Sequence, residues 1–208
     1  MHLHSTILIL SGISLNHQNT KISIEMKKQI TSILAVFFLA LFAATSWAAA
    51  TNVRDPYKFF FNETWGDMPE EIQNAKNGDK KAILIFFEMD ECPFCHYMKN
   101  NVLNQPKVQE FYRKHFLNIS IDIEGDVEMV NFKGKTTRLK DFAFKENRVR
   151  ATPVIAFFDF NGKLIYRHTG KTSGVEEFMW LGEFVAKGLY KKSSFTRYKR
   201  KKRAEKKK

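Results

Sequence analysis

Apolar positions along the 208-residue chain fall into blocks of different period, and each period predicts an element. The run KAILIFFEM, residues 81–89, is continuously apolar and too short for a buried helix, so it predicts a central strand covered on both faces. LNISIDI, residues 117–123, alternates as a half-buried strand does. PVIAFFDF, residues 153–160, is a second buried strand. The Asn161-Gly162 pair after it is a two-residue hairpin signal, which makes KLIYRHTG its antiparallel neighbour.

Between these strands the period changes to that of helices. MPEEIQNAKN, residues 68–77, has a proline near its start and glutamates in its first turn, and Gly78 ends it. Residues 93–103 and 106–115 predict two helical stretches broken at Gln105-Pro106, and a polar loop carrying Gly125 and Gly134 leads into a helix over 137–147. Ser173 with Glu176 reads as a capping box before an amphipathic helix that uses Val175, Phe178, Leu181, Val185 and Leu189. The order predicts an α/β fold: a parallel strand pair joined by helical crossovers and closed by an antiparallel hairpin, giving a mixed central sheet flanked by helices on both faces.

The ends read differently. From Met26 two lysines precede an apolar run from Ile30 to about Ala44, followed by the small residues Ser46, Ala48 and Ala50. This is the order of a secretory signal peptide cleaved after Ala48 or Ala50, and the run is shorter than the roughly 20 residues a spanning helix needs. Residues 1–25 read as an upstream extension, 26–50 as the signal, 51–67 as the mature N-terminal segment and 68–190 as the domain. Residues 191–208 show no apolar face and predict a disordered basic tail. Phe59, Phe60, Phe61 and Trp65 predict an N-terminal segment packed on the core.

A net charge of +12 suggests a nucleic-acid binder until it is mapped. The tail carries +10 and residues 1–50 carry +2, so the domain itself is close to neutral and has no electrostatic footprint for nucleic acid. The tail instead suits an anionic membrane surface or partner.

The two cysteines both lie in CPFCH, residues 92–96. C-x-x-C-H is a haem-attachment pattern and C-x-x-C ahead of a helix a redox pattern. A haem domain would be mainly helical and would need a distal ligand that neither Met129 nor Met179 is marked to supply; zinc would be one ligand short with Cys92, Cys95 and His96 alone. A strand running straight into Cys92 at a helix N-cap, with Pro93 at the first helical position, suits thiol chemistry, because free N–H groups there favour a thiolate.

On these residues the chain resembles the thioredoxin superfamily. CPFC matches the active site and ATPV, residues 151–154, matches the cis-proline loop; the exported thioredoxin-like proteins of the SoxW type are similar in having Thr before that proline and a long insertion between the motifs. The resemblance implies a thioredoxin-like fold and a thiol:disulfide oxidoreductase whose redox-active Cys92–Cys95 disulfide serves in place of a cofactor. It implies that Cys92 attacks and Cys95 resolves, that Thr152 and Pro153 sit beside them, and that Pro93 and Phe94 contact the substrate. Two departures matter. The family's CGPC is CPFC here, and its buried acid six residues before the first cysteine corresponds to Phe86. Glu88, at the strand end, is the substitute candidate for taking a proton from Cys95; His96 reads as a surface residue of the active-site helix, with tuning of the thiolate as the alternative reading.

Glu88, Asp90 and Glu91 place negative charge near Cys92, which opposes a very acidic thiolate. Strong oxidants stabilise their reduced form, so the sequence favours a reductase over an oxidase or isomerase. The expected setting is a periplasmic monomer acting on protein disulfides and supplied with electrons by a membrane thiol carrier.

Overall fold

The computed structural model describes residues 53–207. The expected signal peptide at 26–50 and the extension before it lie outside the described residues.

Four strands form the main sheet in the order β2-β1-β5-β6: β1 Ala82–Glu88, β2 Phe116–Asp122, β5 Val154–Phe158 and β6 Leu164–Thr169. β1 pairs parallel with β2 and antiparallel with β5, and β5 pairs antiparallel with β6, so the sheet is mixed as its sequence order predicts. All seven residues of β1 are buried, which is why that run is apolar without alternation. Ala82, Leu84 and Phe86 enter one core with both cysteines; Ile83, Ile85 and Phe87 enter the other.

The helices are α1 Pro56–Phe59, α2 Met68–Asn77, α3 Pro93–Met98, α4 Pro106–His115, α5 Leu139–Asp141, α6 Val175–Ala186 and α7 Phe195–Glu205. α3 runs on as a π-helical turn, Lys99–Leu103, and α5 as another, Phe142–Glu146. α6 lies against α4 because Gly182 lets the ring of Tyr112 come close: a Cβ there would stand 2.9 Å from Tyr112 Cζ. Tyr112 stacks on Phe178 at 4.2 Å and donates its hydroxyl to the Phe178 carbonyl.

Five expectations need correction. The helix over 137–147 is in fact three parts: β4, Thr136–Arg138, then α5 and its π turn. β4 pairs with β3, Glu128–Val130, in a two-stranded ribbon that the charged loop sequence conceals. The N-cap of α6 is Gly174, and Ser173 bonds Glu177 rather than Glu176. Phe60 and Phe61 are buried as expected, whereas Trp65 is 95% exposed and Phe59 is also exposed. The tail is not disordered over 195–205: α7 buries Phe195 against Phe184 and Tyr166 and lays Tyr198 on Phe184.

The cause is charge as well as packing. Lys199 pairs with Glu177 at 2.5 Å and Lys202 with Glu183 at 3.1 Å, so the acidic side of α6 receives the two inward lysines of α7, and just past the helix the exposed Lys206 pairs with Glu176 at 2.6 Å. The sequence places those partners on different helices, and a basic run read alone looks solvated.

Candidate active site

β1 delivers the chain from the core to a turn at 89–91, and Cys92 caps α3 in an extended conformation that the helix then leaves. Pro93 takes the first helical position, where a missing N–H costs nothing. The Cys95 N–H donates to Cys92 Sγ at 3.1 Å, which points a backbone dipole at the sulfur. Cys92 and Cys95 form a disulfide with their Cα atoms 5.2 Å apart. Both cysteines are buried, Cys92 at 3% exposure and Cys95 fully.

The Thr152-Pro153 peptide bond is cis. Val154 pairs with Phe87, and one more step of that antiparallel register sets Pro153 opposite Glu88, at the end of β1 that leads to Cys92. The Gly170 N–H donates to the Pro153 carbonyl at 2.8 Å, so the end of β6 backs the same loop. Pro153 is buried and Thr152 half-buried. Phe94, between the cysteines, is 53% exposed, and Pro93 is exposed beside it.

Lys171 follows Gly170 and holds its ammonium 4.4 Å from the Tyr97 ring centroid and 5.9 Å from that of Phe94. Sequence reading missed it, because its neighbours are 74 to 77 residues away in the chain. His96 Nε2 donates to the Asp90 carbonyl at 2.8 Å, which ties the helix to the turn before it. Asp90 and Glu91 are exposed.

Glu88 is not a solvated strand-end carboxylate: it is 7% exposed and accepts three hydrogen bonds. Lys99 Nζ donates to Oε2 at 2.6 Å, while the Tyr57 and Ser120 hydroxyls donate to Oε1 at 3.1 and 2.5 Å. Lys99 also donates to the Tyr57 hydroxyl at 2.8 Å. Burial opposes the Lys99 charge, yet the bonds to Glu88 and Tyr57 outweigh it and hold the ammonium above its ordinary pKa of 10.5. Burial, with the Glu88 charge adding to it, raises Tyr57 above its ordinary 10.0 despite the Lys99 bond. Glu88 shares the face of β1 with Phe86, which packs in the cluster of the cysteines. Lys99 lies four residues beyond Cys95 on the same helical run. The helical spacing of Lys99 was a readable signal; Tyr57 and Ser120 were not, since they arrive through the N-terminal segment and the parallel strand.

The description of one protein-family model, the thioredoxin-like domain, matches residues 68–186, more than half of the chain. The chain belongs to the thioredoxin-like domain family. Among solved structures this member is similar to the DsbH oxidoreductase, with 20% identity over 70% of this chain and 97% of that one and a TM-score of 0.50. It is also similar to a thioredoxin-fold protein from Helicobacter pylori, with 23% identity over 61% and 82% of the two chains and a TM-score of 0.48. The oxidised C-terminal domain of DsbD from Neisseria meningitidis gives 19% identity over 60% and 97% and a TM-score of 0.42. A comparison with curated proteins gave no match. At these identities the likeness is one of fold; the chemistry rests on the cysteine pair in its setting.

Proposed function

We propose that this thioredoxin-like protein is an exported thiol:disulfide oxidoreductase of the SoxW type that works as a reductase. The observation that carries the reading is the Cys92–Cys95 disulfide at the start of α3, at the same end of the sheet as the Thr152-Pro153 loop. In the reduced protein the Cys92 thiolate attacks one sulfur of a client disulfide, and the other client sulfur leaves as a thiolate. The Cys95 thiolate then attacks Cys92 Sγ in the mixed disulfide and expels the second client thiolate. The client has gained two electrons, its thiolates take up protons, and the protein is left with its internal disulfide. An external dithiol, which we assign to a membrane carrier, restores the two thiols.

We assign proton removal from Cys95 to Glu88, held in place by Lys99, Tyr57 and Ser120. Pro93 and Phe94 are assigned to the client chain, as the exposure of both supports. Asp90 and Glu91 remain unpaired with any described cation and support the reductase direction; the Glu88 charge, matched by Lys99, does not add to that argument. The membrane reading of the tail passes to the outer face of α7, where Arg197, Arg200 and Lys201 are exposed, and to the exposed Lys207 beyond its end.

The test is reduction of a disulfide-bonded protein such as insulin with dithiothreitol as donor. Wild-type protein accelerates it and Cys92→Ser does not; equal rates for the two would sink the proposal.

A further inference from the structure

On the face of the sheet opposite the cysteines, a cleft of about 840 Å³ opens between the β3–β4 ribbon, the π turn after α5 and the β5–β6 hairpin. That volume is in the range of small-molecule sites. Phe132, Phe142 and Phe158 line its floor, and five cations converge on it: Lys133, Lys135, Lys145, Arg148 and Arg167. Lys145 pairs with Asp141 at 3.0 Å. The other four make no ion pair with any described residue.

The one acid on the lining, the exposed Glu146, is bound by a neutral amide and pairs with no described cation. The buried Asn131 donates from Nδ2 to both Glu146 oxygens, at 2.9 and 3.0 Å. Its Oδ1 accepts from the Lys133 and Lys135 N–H groups at 2.9 and 3.0 Å, so a single buried side chain both fixes the turn that presents two lysines and engages the carboxylate. Across the cleft the Gly162 turn, at φ +72°, closes on Phe132 so tightly that a Cβ would stand 2.5 Å from the Phe132 Cβ. Arg167 comes from β6, paired with Ala156 of the same core, and its Nε is buried without a hydrogen-bond partner among the described residues. A buried donor left in that state costs stability, as do like charges brought together.

The contrast within the molecule matters. Where α7 brings Lys199 and Lys202 inward, each finds a glutamate; here the fold gathers five cations over an aromatic floor against a single lining acid, Glu146, which pairs with none of them. We infer that this cleft binds a phosphate-bearing ligand, whose oxyanion takes the Arg167 and Arg148 guanidiniums and the two lysines while an attached apolar or planar group lies on the phenylalanines. The site is independent of the redox proposal.

The experiment titrates the full chain with inorganic pyrophosphate by calorimetry and, separately, with vesicles of phosphatidylglycerol in a neutral lipid. Arg167→Gln and the exposed double variant Lys133→Gln/Lys135→Gln are compared with wild type, and Lys107→Gln, exposed on α4 and outside both the cleft and α7, is the control for charge alone. Saturable pyrophosphate binding that weakens about tenfold or more in the cleft variants and not in the control supports a soluble phosphate ligand. Vesicle binding with the same dependence, without pyrophosphate binding, supports a lipid headgroup. The inference is overturned if neither probe binds saturably, or if Lys107→Gln weakens binding as much as the cleft variants do.

Discussion

Lys99 Nζ lies 2.6 Å from Glu88 Oε2, with the two side chains only 14% and 9% exposed, in the layer that also holds the resolving cysteine. A buried pair of this kind is costly to halve. Removing one partner leaves a buried charge and costs on the order of 3 kcal/mol, whereas removing both costs less than the two single changes together. The losses of urea midpoint in Lys99→Met and Glu88→Gln, measured on the oxidised protein, are therefore expected to sum to more than the loss in Lys99→Met/Glu88→Gln. Strict additivity would show that the pair is not coupled.

The same pair sets a pH limit. Lys99 and Tyr57 both have folded pKa values above their ordinary 10.5 and 10.0, so the fold holds their protons more tightly than the unfolded chain does. Their contribution is complete below about pH 10 and is lost as pH rises through the raised values. Stability measured between pH 9 and 12 should fall more steeply for wild type than for Lys99→Met, and parallel curves would contradict the assignment.

Cys95→Ser should stop the reaction at the mixed disulfide. With the resolving thiol gone, the intermediate between Cys92 and a client persists. Mass spectrometry after incubation with a disulfide-bonded client should find one covalent adduct on Cys92, and none with Cys92→Ser. An adduct on Cys95 in the Cys92→Ser protein would reverse the roles.

The sequence was legible where one local rule decided the outcome. β1 is buried on both faces and its uninterrupted apolar run says so; the hairpin between β5 and β6 falls where Asn161-Gly162 puts it, though the turn is longer than two residues, closed by Asp159, with Gly162 and not Asn161 at positive φ; α2 ends at Gly78 and α4 starts at Pro106. Cys92 and Pro93 declared their own positions at the helix start. What was hidden depended on partners distant in sequence. The partners of Glu88 were hidden because Tyr57, Lys99 and Ser120 reach it from three other elements. Phe195 and Tyr198 were masked by the surrounding lysines, and the acids that receive those lysines belong to α6.

The docking of α7 should be acid-labile. Burial works against the Glu177 and Glu183 charges, but bonds from Lys199 and Ser173 to the first and from Tyr198 and Lys202 to the second hold both carboxyls below their ordinary 4.5. Groups depressed in the fold stabilise it above the unfolded value, and that contribution disappears as pH falls through the folded one. Amide protection of residues 195–205 should therefore be lost below about pH 4 before that of the central sheet. Phe195→Ala, which empties a buried site at a cost of about 3 kcal/mol, should release the helix at neutral pH.

Phe94 and Lys171 are expected to govern client affinity and leave the redox couple alone. Phe94→Ala and Lys171→Glu should each lower kcat/KM on a peptide disulfide by about tenfold, or ~1.4 kcal/mol, with little change in folding stability. A loss confined to stability, with kcat/KM retained, would make the cluster a packing feature.

The reduction potential of the Cys92 and Cys95 pair, equilibrated against thiol buffers of known ratio, tests the central claim most directly. A reversible two-electron couple between about −270 and −200 mV is the predicted result for a reductase that needs a donor. A value near −120 mV would mark an oxidant and reverse the direction of electron flow, and the absence of any reversible couple would contradict the thiol:disulfide account itself.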